Sequence, residues 1–247
     1  MEFIHKVSKG SRYNQIYVPQ SMGEFEVGDT VKVILLEKKA RLFSSKNLDL
    51  STFKEEIVAK IFKLLKGRAF IFGSFLFKKA DYRDIDILVI GEDEEKAYKI
   101  LTEKLELKFH VISMKEDAFE NLIKTCPLTR SMLSYFVSNK EFNLPKQEYD
   151  KKHIQFLLMM PEDLLKINAG SRAFYDSLRR LIAIERFLDG KNLNSSEIEK
   201  ELEKLLKDLF KVMKENGSII EKQVDDVRKL IQMKLRIINK LMEAQDG

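Results

Sequence analysis

The stretch Phe72–Gly91, FGSFLFKKADYRDIDILVIG, carries the reading on which the rest of the chain depends. It begins with Gly73-Ser74, directly after the apolar run Ala69–Phe72. It continues through the cations Lys78, Lys79 and Arg83. It ends by setting Asp84 and Asp86, one residue apart, at the head of an Ile/Leu/Val run. Strand side chains alternate faces, so the two carboxylates share a face, about 7 Å apart along the strand. Ile85, Ile87 and Val89 point to the other face as core, while Leu88 and Ile90 continue the face of the acids. Two neighbouring carboxylates repel one another and are costly to bury without partners. Mg²⁺ relieves both problems, because it takes one or two carboxylates and fills its shell with water and phosphate oxygens. Alone, an Asp-x-Asp pattern reads rather as a solvated strand end. Gly73-Ser74 changes that reading. Glycine lets backbone approach a ligand, and the serine hydroxyl with the N–H groups of the next turn suits phosphate oxygens. Glycine turn, basic loop and paired carboxylates together compose a metal–nucleotide site.

Around this stretch, residues 46–149 alternate helix and strand. Thr52–Lys66 sets Phe53, Ile57, Ile61, Leu64 and Leu65 on one helical face. Arg68–Gly73 and Arg83–Gly91 are short apolar strands. The run EDEEKAYKILTEKL is a helix with acids in its first turn, where the macrodipole favours them. Leu107–Met114 is a further strand, and a helix follows from about Lys115 to Lys124. This β-α-β order predicts a sheet with helices packed on it. Residues 1–45 read as a small β unit, with strands at Ile16–Pro19 and Thr30–Glu37 and a turn at Gly28-Asp29. Residues 150–247 read as a helical bundle. There Pro161 suits a first helical turn, Ser171–Asp189 is amphipathic and stops at Gly190, and Ser196/Glu199 and Ser218/Glu221 have capping-box spacing. The fold class expected is therefore α+β.

The chain has 247 residues, of which 44% are apolar, enough for a sizeable core. No apolar run approaches the roughly 18 residues of a membrane span, and the N-terminus lacks the apolar core of a secretory signal. A single cysteine, Cys126, excludes an internal disulfide and fits a reducing compartment, so a cytoplasmic protein is expected. The net charge of +5 permits a polyanionic partner without demanding one.

The order strand, Gly-Ser, nine residues, Asp-Ile-Asp-Ile-Leu-Val resembles the signature of the DNA polymerase β-type nucleotidyltransferase superfamily. It is most similar to the minimal nucleotidyltransferases and predicted nucleotidyltransferases of archaea. The resemblance implies that Asp84 and Asp86 bind Mg²⁺, with Mn²⁺ as a substitute, and that Gly73 and Ser74 contact a nucleoside triphosphate. Lys78, Lys79 and Arg83 would stabilise the charge that gathers on the leaving pyrophosphate. The implied reaction is transfer of a nucleoside monophosphate from an NTP to a hydroxyl, with a nucleic acid or a protein among the candidate acceptors. The family places a third carboxylate on a neighbouring strand, and the matching position in LKFHVIS is His110. That departure bears on activation of the acceptor more than on nucleotide binding, and it leaves Asp81, Glu106 and Asp117 as nearby substitutes. It also keeps open a rival of another class, a nucleotide- or nucleic-acid-binding module that retains the fold without catalysis.

The first segment, with its Ile-Tyr-Val-Pro strand and Val-Gly-Asp turn, resembles AbrB/SpoVT-type swapped-hairpin domains. That resemblance implies a homodimer through the N-terminal segment, with Lys6, Lys9 and Arg12 available to DNA phosphates. In the third segment, Arg172, Tyr175, Arg179 and Arg186 recur at helical spacing. Such a stripe either grips an acceptor phosphate or, the better reading, forms a solvated face bridged to Asp176 and Glu185.

Overall fold

The computed structural model describes residues 8–9, 11–17, 28–30, 41–45, 48–77 and 82–246. Two compact units divide the chain, Met1–Lys39 and Ala40–Gly247. In the first, β1 (Ser8–Lys9) pairs antiparallel with β2 (Asn14–Gln15). Gly28, at φ 108°, occupies a turn as the Gly28-Asp29 pair predicts. Ile16 and Tyr17 are exposed and outside any strand. The rest of the strand expected at Ile16–Pro19, nearly all of Thr30–Glu37, and Lys6 lie outside the described residues.

The second unit is α+β. Its elements run β3 (Phe43–Ser44), α1 (Thr52–Leu64), β4 (Arg68–Phe72), α2 (Ser74–Phe77), β5 (Ile85–Ile90), α3 (Glu94–Leu105), β6 (Phe109–Met114), α4 (Glu116–Thr125), α5 (Pro127–Met132) and β7 (Val137–Ser138). Helices α6 (Lys151–Asp163), α7 (Ser171–Leu188), α8 (Ser195–Leu206), α9 (Leu209–Lys214) and α10 (Glu221–Asp246) follow. The sheet order is β3-β7-β4-β5-β6; only the β5–β6 pair is parallel. Phe43–Ser44, grouped with the first segment on sequence, is thus an edge strand of this sheet.

Alternation along β5 sorts its residues as the sequence dictates. Ile85, Ile87 and Val89 join one core, built with Val58, Ile61 and Phe62 of α1 and Ala97 and Leu101 of α3. Leu88 and Ile90 join a second core on the opposite face, with Phe70, Phe119 and Phe136. Both faces of this strand are therefore covered, which explains its nearly unbroken apolar run. The parallel β5–β6 pair needs a crossover, and α3 supplies it, capped by Asp93, whose carboxylate accepts from Lys96 N–H at 2.8 Å.

Helix α1 corrects the sequence expectation. Its buried face is Lys54, Val58, Ile61 and Phe62, whereas Phe53 is 65% exposed. A face assigned from Phe53 is rotated by one residue; the i, i+4, i+7, i+8 series begins at a lysine, whose aliphatic stem can line a core while its amine finds an acceptor.

In the helical region, α7 is central, burying Phe174, Tyr175, Leu178, Leu181 and Ile182 among α6, α8, α9 and α10. Pro161 is not at a helix start but two residues from the end of α6. The proline lacks the N–H that would bond the Leu157 carbonyl one turn back. The Arg180 guanidinium on α7 donates to that carbonyl instead, at 3.4 Å. Neither capping-box pair marks a helix start: Asn194 caps α8, accepting from Ser196 N–H at 2.9 Å, and α10 begins at Glu221 itself. Asn194 wins because it directly precedes the helix and has the side-chain acceptor favoured at that position.

Candidate functional site

Pairing registers bring the candidate site together at one end of β5. Phe72 stands opposite Asp86 across the β4–β5 pair, so the turn after Phe72 passes beside the Asp86 carboxylate. Gly73 takes φ 76° there, and a Cβ built on it would lie 2.1 Å from Asp86 Oδ2. Any side chain at this position would collide with the carboxylate and would also be held in the left-handed region. Ser74 follows as the first residue of α2. On the other side, the parallel register sets Asp86 beside His110. The His110 Nδ1–Asp86 Oδ1 distance is 3.0 Å, with the Asp86 side chain 22% and the His110 side chain 58% exposed. A neutral imidazole donating through Nδ1 to this carboxylate keeps Nε2 as an acceptor.

Burial pushes the Asp86 carboxyl above its ordinary range. The hydrogen bond from His110 opposes that rise, and the nearby charge of Asp84 adds to it. Asp84 lies just before β5 and is half-buried; Arg83 is exposed. Lys78, Lys79 and Asp81 lie outside the described residues. Among the other acids considered, Glu106 ends α3 at the end of the sheet near His110, with φ 53°. Asp117 lies in the first turn of α4, past the opposite end of β6, and so stands away from the site. Among the described residues, no group of three His, Cys, Asp or Glu side chains converges as a metal cage.

Lys54 is the residue near this turn that sequence reasoning missed. Its amine donates to the Phe75 carbonyl at 2.5 Å and sits 5.3 Å from the Phe75 ring centre. Burial pushes its pKa down. Phe75 is fully buried and meets Tyr82 edge-on at 5.0 Å. Lys54 and Tyr82 therefore hold α2, and with it the Gly73-Ser74 turn. The signal was legible as a lysine in phase with Val58, Ile61 and Phe62.

Two members of the α7 stripe, Arg172 and Arg186, are spent on structure, whereas the Arg179 Nε and the Tyr175 hydroxyl are buried without a hydrogen-bond partner among the described residues. Arg172 bonds Asp176 at 2.9 Å and the Lys214 carbonyl at 2.8 Å. Tyr175 is buried rather than solvated, and burial foremost, then the charge of Glu199, pushes its phenol up to about 12. Arg186 donates to the Asn192 carbonyl at 2.7 Å and reaches Glu201 at 3.4 Å. The Arg172–Asp176 pair agrees with the salt-bridged reading, but Glu185 pairs with Lys234 of α10, at 2.7 Å. Lys234 also meets Glu201 at 2.9 Å.

Comparison of the chain with family models, curated proteins and solved structures returns no match. Among the described residues, no helix is long and apolar enough to cross a membrane.

Proposed function

We propose that this protein transfers a nucleoside monophosphate from an NTP to a hydroxyl acceptor, at a site built from Gly73, Ser74, Asp84, Asp86 and His110. The observation that carries the reading is the juxtaposition of the side-chain-free turn at Gly73 with a partly desolvated carboxylate at Asp86. A turn that excludes side chains beside a partly buried acid with a second acid close by suits an incoming polyphosphate and its cation. Asp84 and Asp86 are hard oxygen donors whose like charges oppose one another. They fit Mg²⁺, with Mn²⁺ as a substitute, because these ions share their shells with water and substrate. The ion would supply charge neutralisation of the triphosphate.

The protein's own groups do the rest. Gly73 and Ser74 seat phosphate oxygens, and Arg83 offers positive charge to the pyrophosphate. A bond forms between the acceptor oxygen and the α-phosphorus as the bond from that phosphorus to pyrophosphate breaks. The acceptor's proton passes to His110 Nε2, which the bond from Nδ1–H to Asp86 leaves free to accept it. RNA, DNA and protein hydroxyls all fit this chemistry.

A second reading rests on the same register. His110 stands where the resemblance implies a third carboxylate, so the site would bind nucleotide without turning it over. Titration calorimetry with each Mg-NTP, paired with pyrophosphate release in the presence of RNA, DNA and protein acceptors, separates the two. Wild type is expected to bind and release pyrophosphate, and Asp84→Asn and Asp86→Asn to lose at least about tenfold in affinity, as removal of a cation ligand requires. Unchanged affinity in both variants rejects the site. Binding without turnover in wild type and in His110→Asp selects the binding module.

A further inference from the structure

Helix α6 turns one face into the helical core and leaves another uncovered. Ile154, Leu157, Leu158 and Pro161 are buried. On the outer side Phe156 is 66% and Met159 is 56% exposed, one turn apart. These two side chains and Met242 of α10 line a groove of about 510 Å³ between the helices, with Lys152 and Glu162 toward its ends. A large aromatic and a methionine side by side on solvent are costly unless something covers them.

The charges on α6 indicate what does. Lys151 and Lys152 occupy its first turn, and Glu162 and Asp163 its last. Apart from the capping Asp150, whose carboxylate accepts from His153 N–H at 3.1 Å, this is the reverse of what the helix macrodipole favours, which is acids at the start and bases at the end. Among the described residues, no ion pair engages Lys152, Glu162 or Asp163. A second α6 laid antiparallel across the first answers both the apolar face and the charges. With the two-fold axis between Phe156 and Met159, each Phe156 meets the Met159 of the other copy. Each Lys152 then comes opposite Glu162 and Asp163 of the other copy. The basic and acidic ends lie about 15 Å apart along the axis, at 1.5 Å per residue, and they exchange places under that rotation. An isologous contact needs a patch complementary to itself, and this one is.

We propose that the α6 face, with the groove it forms against α10, is the interface between two copies of this chain. The contact uses only residues of the second compact unit and differs from a dimer made through the N-terminal segment. It is independent of the nucleotidyltransferase reading, since no residue of that site takes part.

Sedimentation equilibrium of the full chain tests it. Wild type is expected to dimerise, and Phe156→Asp/Met159→Asp to weaken association by tenfold or more. Both positions are exposed, so an unchanged circular-dichroism spectrum checks that the fold survives. The decisive arm uses charge reversal. Lys152→Glu alone and Glu162→Lys alone each place like charges opposite one another in a homodimer, and each is expected to weaken association by roughly threefold to tenfold. Mixed in equal amounts, the two variants restore attraction at both contacts of the heterodimer, and association is expected to return toward the wild-type value. A monomeric wild type overturns the proposal and leaves the face to a different partner. Association of the apolar double variant equal to wild type also overturns it, and assigns any dimer to another surface. Failure of the two charge variants to restore each other rejects the antiparallel α6 arrangement.

Discussion

Two regions of this molecule place charge inside apolar surroundings, and they do so in opposite ways. In the helical region, Lys234 is 5% exposed, yet it meets Glu185 and Glu201, and Arg186 reaches the second of these. Two cations face two anions, and the cluster is closed. At the head of β5, Asp86 is also largely desolvated, but its neighbours are another acid, Asp84, and one imidazole. Among the described residues that cluster is short of positive charge, and His110 is exposed. The difference separates structure from readiness to bind. A balanced buried cluster satisfies itself; an unbalanced one beside a turn with no side chain is the feature on which the proposed cation site rests.

The largest test of this contrast is Lys234→Ala. It strands the partly buried Glu185 and leaves Glu201 with Arg186 alone, and breaking such a cluster from one side costs about 3 kcal/mol. Urea unfolding at pH 7 should show that loss; a change below about 0.5 kcal/mol, the range of ordinary surface substitutions, would place Lys234 among the surface ion pairs instead. The pH dependence follows with a definite sign. Burial works against the charged Lys234 amine, but its bonds to Glu185 and Glu201 outweigh it, and the pKa is raised above 10.5. The stability this group contributes is therefore fully present below pH 10.5 and is lost as the pH climbs through the raised value. Melting temperatures between pH 9 and 12 should fall more steeply for wild type than for Lys234→Ala. Both proteins should keep the further decline due to Tyr175, whose phenol stays protonated in the fold to about 12.

A smaller effect is expected at the open site from Gly73→Ala. The left-handed backbone there costs a non-glycine residue about 1–2 kcal/mol, and the new methyl must displace the Asp86 carboxylate. A loss of about 2 kcal/mol should accompany weaker Mg-NTP binding, read by calorimetry alongside the melt. Stability lost with binding intact would reduce Gly73 to a purely structural turn.

The smallest effect carries the opposite sign. Asp86→Asn removes a charge that burial and Asp84 both disfavour, while the amide oxygen can still accept from His110. Because the folded pKa of Asp86 is raised above 3.8, its penalty is absent below that value and develops as the pH rises through the folded value. The variant should therefore melt slightly higher than wild type at pH 7, and the two should converge below about pH 4. A lower melting point at pH 7 would show that Asp86 is a settled structural acid, like those around Lys234, and would erase the contrast.

Much of this arrangement follows from residue order alone. Period-two alternation along Ile85–Ile90 set both cores and the shared face of the acids, because a strand has only two faces. Apart from the short helix α2, which falls where the sequence reads as a loop, the order of strands and helices from Arg68 to Thr125 was legible for the same kind of reason, since local periodicity and turn residues act within a few positions. Other features needed the tertiary structure. The phase of α1 depended on whether a lysine could be buried, and that depended on the Phe75 carbonyl twenty-one residues away being in reach. Pro161 sits inside a helix because Arg180 of a neighbouring helix takes the carbonyl it leaves free. Above all, nothing local in Gly73, Asp86 or His110 brings them together. Two strand registers do so, one antiparallel and one parallel, and register is decided by which apolar faces must be covered at once across the whole sheet.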